Sequence, residues 1–129
     1  VAVRSDLLRT EEGRPVLVGG WSPTSGRWHF PLAERCPYSG ADDVEARDLP
    51  TTGVLWLWTT VTAPPPGYHG PVPYDLGVVE LDCEPTLRLV TRLGGETREV
   101  GAPALLSTET LPDGEGGELV IWRFEVGPR

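Results

Sequence analysis

The sequence predicts an all-β protein whose larger part is a small closed five-stranded barrel, and three observations carry that expectation. Glycine and proline are frequent, 16 and 14 of 129 residues, and they punctuate the chain at short intervals instead of forming one tract. Such spacing describes many short segments joined by turns. From Gly53 onward the segments between the turns are rich in β-branched and aromatic residues, many of them alternating between apolar and polar. Five such strands in about 75 residues, with one longer break at residues 94–103, suit a barrel better than a sandwich.

The chain is long enough for one domain and too short for two full ones. In order, residues 1–14 read as an N-terminal arm or short helix, in which Ser5 and Asp6 cap a turn through Leu7 and Leu8 that Gly13 closes. Residues 15–50 read as a small loop-rich subdomain broken at Gly19-Gly20, Pro23, Gly26, Pro31, Pro37 and Gly40. Its candidate strands are Pro15–Gly19, Arg27–Phe30 and Val44–Leu49, with too few apolar residues to stand alone. Residues 51–129 form the barrel. Its strands are Val54–Thr62, Leu76–Asp82, Leu87–Leu93, Ala104–Leu111 and Glu118–Val126. Cys83-Glu-Pro-Thr86 joins the second strand to the third, and Leu111-Pro-Asp-Gly-Glu-Gly-Gly117 turns the fourth into the fifth.

Alternation assigns the faces. Val120, Trp122, Phe124 and Val126 share one side of the last strand, opposite Ile121, Arg123 and Glu125. Leu87, Leu89 and Leu93 lie opposite Arg88 and Arg92. The first barrel strand breaks the pattern, because Leu55, Leu57 and Val61 fall on one face and Trp56 and Trp58 on the other. Both faces are apolar, so the outer tryptophans need cover from the N-terminal subdomain or from another protein.

Composition removes several function classes. All eleven basic residues are Arg, against nineteen acidic ones, for a net charge of −8. That balance opposes nucleic acid and anionic membranes and favours a partner surface of opposite sign. The chain has no Lys, Asn, Gln or Met, which excludes Schiff-base chemistry and a phosphate-binding loop lysine. Two cysteines, Cys36 and Cys83, do not make a secreted disulfide scaffold and read as reduced thiols of a cytoplasmic protein. No apolar run approaches the ~20 residues that span a bilayer, and no signal peptide opens the chain. The missing initiator methionine is expected from a trimmed terminus or from a domain of a longer polypeptide.

No catalytic constellation is found. Gly20-Trp-Ser22-Pro-Thr24 misses the nucleophile-elbow pattern because residue 24 is not glycine. Asp42-Asp43 and Glu11-Glu12 read as solvated loop charge, and Gly94-Gly95 and Gly114–Gly117 as turns. Cys36 and Cys83 read as structural thiols, and His29, between Trp28 and Phe30, as a residue that orients a hairpin. The segment Pro64–Tyr74 is more informative. Its prolines lower the entropy cost of holding Tyr68, His69 and Tyr74 in one arrangement, which suits a preorganised contact surface.

The strand Val54–Thr62, the run Thr59-Thr-Val-Thr-Ala-Pro-Pro-Pro-Gly-Tyr68, then Pro71-Val-Pro-Tyr74 and Gly77-Val-Val-Glu-Leu-Asp82 resemble a family of OB-fold proteins that carry a rubredoxin-like zinc ribbon. It is the domain of unknown function numbered thirty-five, and the resemblance covers roughly residues 15–126. It implies a degenerate ribbon followed by a five-stranded OB-fold barrel. The family's two Cys-x-x-Cys knuckles correspond here to Ser22-Pro-Thr-Ser25-Gly26 and Cys36-Pro-Tyr-Ser39-Gly40. Three of the four ligand positions are therefore serine, whose neutral hydroxyl does not replace a thiolate on zinc. No zinc and no other cofactor is expected.

The resemblance further implies a non-catalytic accessory subunit. Its partner would be a thiolase-like, lipid-transfer-type enzyme acting on acyl-CoA, by preference an aldolase of actinobacterial steroid side-chain degradation. The chain would form a hetero-oligomer with that partner, help shape its acyl-CoA site and be required for its activity; fusion to a hydratase-like domain also fits the family. Trp56, Trp58, Pro65, Pro66, Tyr68, His69 and Tyr74 are the expected contacts to partner or CoA thioester. The alternatives are a stand-alone OB-fold module for acyl-CoA or, opposed by Glu80, Asp82 and the net charge, for nucleic acid.

Overall fold

The computed structural model describes residues 8–128, which form nine strands and no helix. They are β1 (Leu8–Glu11), β2 (Arg14–Ser22), β3 (Arg27–His29), β4 (Glu45–Asp48), β5 (Thr52–Val61), β6 (Tyr74–Leu81), β7 (Arg88–Gly95), β8 (Pro103–Pro112) and β9 (Glu118–Val126).

The first four strands form a small sheet around β2. Its first half pairs with β1, Val18–Trp21 pair with β4, and Gly20–Ser22 pair with β3. The expected helical turn does not include Leu8. Glu12 and Gly13 both have positive φ, the conformation of a tight hairpin turn, and they fold β1 back onto β2 so that buried Leu8 lies opposite buried Leu17. Ser5, Asp6 and Leu7 lie outside the described residues.

The other five strands close into a barrel in the order β5-β6-β7-β9-β8. All its pairings are antiparallel except β7 with β9, and short pairing of Thr52–Val54 with Pro103–Leu105 completes the ring. The expected inner faces hold: Leu87, Leu89 and Leu93, with Phe124 and Val126, are buried, and Leu55, Val79 and Leu106 join them. Leu8, Leu17 and Leu49 of the small sheet belong to the same core. A sheet of this size cannot bury its own apolar face, so it shares the barrel's. Two aromatic contacts bind the parts. The Trp28 indole N–H donates to the Glu84 carbonyl at 3.0 Å, and Phe30 meets Trp122 edge to face at 5.3 Å.

One expectation changes. On β5 the alternation fails at a bulge: Leu55 pairs with Val79 but Leu57 with Val78, leaving Trp56 as the extra residue. The bulge resets the faces, so Leu57 leaves the core side and stands exposed opposite half-buried Val78, while Trp58 comes round opposite Gly77. Trp21 and Trp28 pack at 4.8 Å, Phe30 turns to the barrel, and Tyr38 is exposed beneath the Arg27 guanidinium.

Candidate functional site

The outer arm of β5 carries three consecutive exposed large hydrophobic residues. Among the described residues, no strand pairs beyond Val54 with the edge of β5 that faces away from β6. Loop contacts reach only to Leu55, whose N–H donates to Ala102 and whose carbonyl accepts from Gly101. Trp56, Leu57 and Trp58 are between 39% and 46% exposed, so the small sheet does not cover the tryptophans. Trp56 is instead capped on one face by the Arg88 guanidinium, 3.8 Å from the ring centroid. Residues 56–61 carry no charge and no proline, the two devices that usually blunt an open sheet edge.

Nearby, an apolar groove of about 660 Å³ runs along Val54, Pro103, Ala104 and Leu105, with Asp82, Glu96 and Glu125 among its lining. No arginine lines it, which makes it a poor seat for the phosphates of CoA.

The proline-rich loop is ordered by its own side chains. The Tyr68 N–H donates to the Pro65 carbonyl, and the Tyr68 hydroxyl donates to the Pro71 carbonyl at 2.7 Å. Tyr68 and Tyr74 pack at 5.1 Å around Arg92, whose guanidinium lies 4.2 Å from the Tyr74 ring and donates to the Tyr68 oxygen at 3.2 Å. Arg92 also pairs with Glu109, which reaches Arg123 at 2.8 Å, and Arg123 bonds Glu125. One carboxylate thus sits between two arginines that are direct neighbours on parallel strands. His69 rests on Gly114 of the β8–β9 turn, where a Cβ would come within 2.4 Å of the ring.

So Tyr68 and Tyr74 are half-buried struts, while Pro65, Pro66 and His69 remain exposed on the outer surface. Alternation signalled that Arg92 and Arg123 face outward, but their joint use of Glu109 depends on a strand order that the sequence does not spell out.

The four knuckle positions converge. Gly26 N–H donates to the Ser22 carbonyl and Gly40 N–H to the Cys36 carbonyl, both at 2.8 Å, so each turn keeps a closed shape. Ser25 N–H donates to Ser22 Oγ at 3.4 Å, and Ser25 Oγ lies 3.3 Å from Cys36 Sγ. Burial works against ionising the Cys36 thiol. Hydrogen bonds from the Ser25 and Ser39 hydroxyls and the Tyr38 and Ser39 amides outweigh it and bring the group down to about 6.

Asp43, expected as solvated charge, belongs to this cluster. It accepts the Ser22 hydroxyl at 2.7 Å and the Thr24 amide at 2.8 Å, and these bonds hold its carboxyl below the usual range. The donor set does not fit zinc: it offers one thiolate and three neutral hydroxyls, and both Asp43 oxygens are already engaged. Among the described residues no group of three or more His, Cys, Asp and Glu side chains is placed to hold a metal.

Cys83, a free thiol like Cys36, is pushed up by burial and by Glu84 and Asp82. His29 is buried in the small sheet: Nε2 accepts the Ala33 amide at 3.2 Å, and burial pulls the imidazole below its ordinary value. No helix among the described residues is long and apolar enough to cross a membrane.

Comparison with known proteins follows this geometry. Residues 46–109 match the family described as the C-terminal OB-fold domain of ChsH2. A DUF35 domain-containing scaffold protein of Pyrococcus furiosus is 26% identical over 113 residues, which span 87% of this chain and 82% of that protein. The solved structure titled Ltp2-ChsH2(DUF35) aldolase aligns with a TM-score of 0.60 at 25% identity, over 86% of this chain and 84% of that one. Barrel order, the match over residues 46–109 and the two chain-length likenesses together support the identification of this chain as a DUF35-type OB-fold protein.

Proposed function

We propose that the chain is a non-catalytic accessory subunit or domain of a hetero-oligomer. It binds a thiolase-like, lipid-transfer-type enzyme acting on acyl-CoA and helps shape that enzyme's acyl-CoA site, and the partner's activity requires it. An aldolase of steroid side-chain degradation is the partner we favour, and the chain works in the cytoplasm without zinc or another cofactor of its own. The observation that carries this reading is the β5 arm, where Trp56, Leu57 and Trp58 stand in solvent beside an open strand edge. An apolar surface of that kind is normally covered by protein. The likeness to a scaffold protein and to an aldolase component supports the same role.

In this reading Trp56, Trp58, Pro65, Pro66 and His69 meet the partner, and Tyr68 and Tyr74 hold the loop in shape for it. The net charge of −8 favours a basic docking face. The test is co-expression with a thiolase-like, lipid-transfer-type protein, followed by size-exclusion chromatography and an acyl-CoA cleavage assay. Co-elution, with activity only when both chains are present, is the expected result. A chain that elutes alone and binds CoA in isothermal titration overturns the proposal in favour of a stand-alone acyl-CoA module.

A further inference from the structure

We infer that the knuckle pair is locked by a polar clasp that stands in the place of a metal, with the Cys36 thiol donating at one end, Asp43 accepting at the other, and Ser22 and Ser25 as the hydroxyl residues between them. Three observations carry this. The four knuckle positions still meet: Ser25 Oγ reaches Cys36 Sγ at 3.3 Å, and the Ser25 amide reaches Ser22 Oγ at 3.4 Å. Cys36 and Ser22 are buried, so the groups that face them must satisfy their hydrogen-bonding capacity. Asp43, which has no counterpart among the four ligand positions, closes the far side by taking the Ser22 hydroxyl and the Thr24 amide.

The clasp holds the two turns by the same logic as a metal, with one difference. A zinc ion joins four thiolates through a shared cation, whereas here the Cys36 thiol donates across to Ser25 Oγ, the Ser25 hydroxyl donates to the Ser22 carbonyl, and the Ser22 hydroxyl donates to Asp43. A chain of donors and acceptors runs from Asp43 through Ser22 and Ser25 to Cys36, and Ser39 approaches the sulfur from the second knuckle. Serine is therefore suited to these positions, because cysteine without metal would supply a weaker donor.

Two consequences distinguish a clasp from an empty ribbon. The chain folds without a divalent metal and does not take one up. The four positions also keep the convergence of a metal site, so restoring thiolates should restore binding.

The experiment uses the full chain. Metal analysis of the purified protein should show less than about 0.1 zinc per chain, and excess EDTA should leave the Tm unchanged. Asp43→Ala and Ser25→Ala should each lower the Tm by about 3–6 °C, in line with the loss of a buried hydrogen bond. The variant S22C/S25C/S39C, titrated with cobalt(II), should develop the visible bands of a tetrahedral thiolate site, absent from the parent chain. Stoichiometric zinc in the parent, or a Tm that falls with EDTA, overturns the clasp. So does a Tm indifferent to both Asp43→Ala and Ser25→Ala, or a folded triple-cysteine variant that gives no cobalt bands. If the triple variant does not fold, the parent's metal content and the two single variants decide the question.

Discussion

The Arg88 guanidinium lies 3.8 Å from the centroid of the Trp56 ring, on the outside of the barrel, where the β5 bulge has turned that ring out of the strand's alternation. The cation covers one face of Trp56, and 39% of the residue remains exposed. Because the side chain is 39% exposed, Trp56→Ala should lower stability by no more than about 1 kcal/mol. The same substitution, alone or with Trp58→Ala, should weaken association with a thiolase-like partner by tenfold or more. Urea unfolding and co-purification separate the two effects. A large loss of stability with unchanged association would assign Trp56 to the fold instead.

The β8–β9 turn offers a test of how the proline-rich loop is seated. Gly114 has φ +84°, and His69 occupies the space where its side chain would be. Gly114→Ala should cost about 1 kcal/mol, chiefly from the left-handed backbone. His69→Ala should cost little alone. In the double variant, removing the ring should relieve only part of the Gly114→Ala cost, which a thermal-melt mutant cycle reads directly.

Arg98 ties the long 94–103 connection to the barrel: its guanidinium pairs with Asp75 at 2.7 Å and donates to the carbonyls of Gly94 and Thr97. Burial opposes the Asp75 charge, but hydrogen bonds from Thr60 and Arg98 prevail and hold the carboxyl below its ordinary value. A carboxylate depressed in the folded state stabilises it above the unfolded pKa and loses that contribution as pH falls through the folded one. The stability gap between wild type and Asp75→Asn should therefore be constant above about pH 5 and shrink below about pH 4. Urea midpoints from pH 3 to 7 check this, and a gap that widens in acid would contradict it.

Phe124 is wholly buried at the centre of the barrel, on β9 between β7 and β8. Phe124→Ala should cost about 3–5 kcal/mol through lost burial and the cavity left behind. Ile121→Ala, on the half-buried outer face of the same strand, should cost clearly less. Equal losses in thermal melts would mean that the faces of β9 have been assigned wrongly.

Much of this architecture was legible before any coordinates. Glycine and proline spacing marked most of the turns, and period-two alternation named the buried sides of β7 and β9, because both signals are local. The bulge at Trp56 was not legible: Leu55 and Leu57 alternate properly, and only the pairing with Val79 and Val78 shows that a residue has been inserted. Leu8 misled for a related reason, since a leucine pair near a capping residue reads as helix until β2 offers it a partner.

The candidate site divides in the same way. The sequence by itself determined an acidic all-β chain with a proline-rich aromatic loop and one cysteine, Cys36, in the Cys-Pro-Tyr-Ser-Gly run at residues 36–40. Those properties follow from residue identity and spacing, which no fold can alter. Only the tertiary structure decided that Tyr68 and Tyr74 enclose Arg92, that Glu109 serves two arginines, and that Asp43 closes the cluster around Cys36. Each of these joins residues from separate strands or loops. Such contacts depend on strand order and register, which are set by the packing of the whole core rather than by any local stretch of chain.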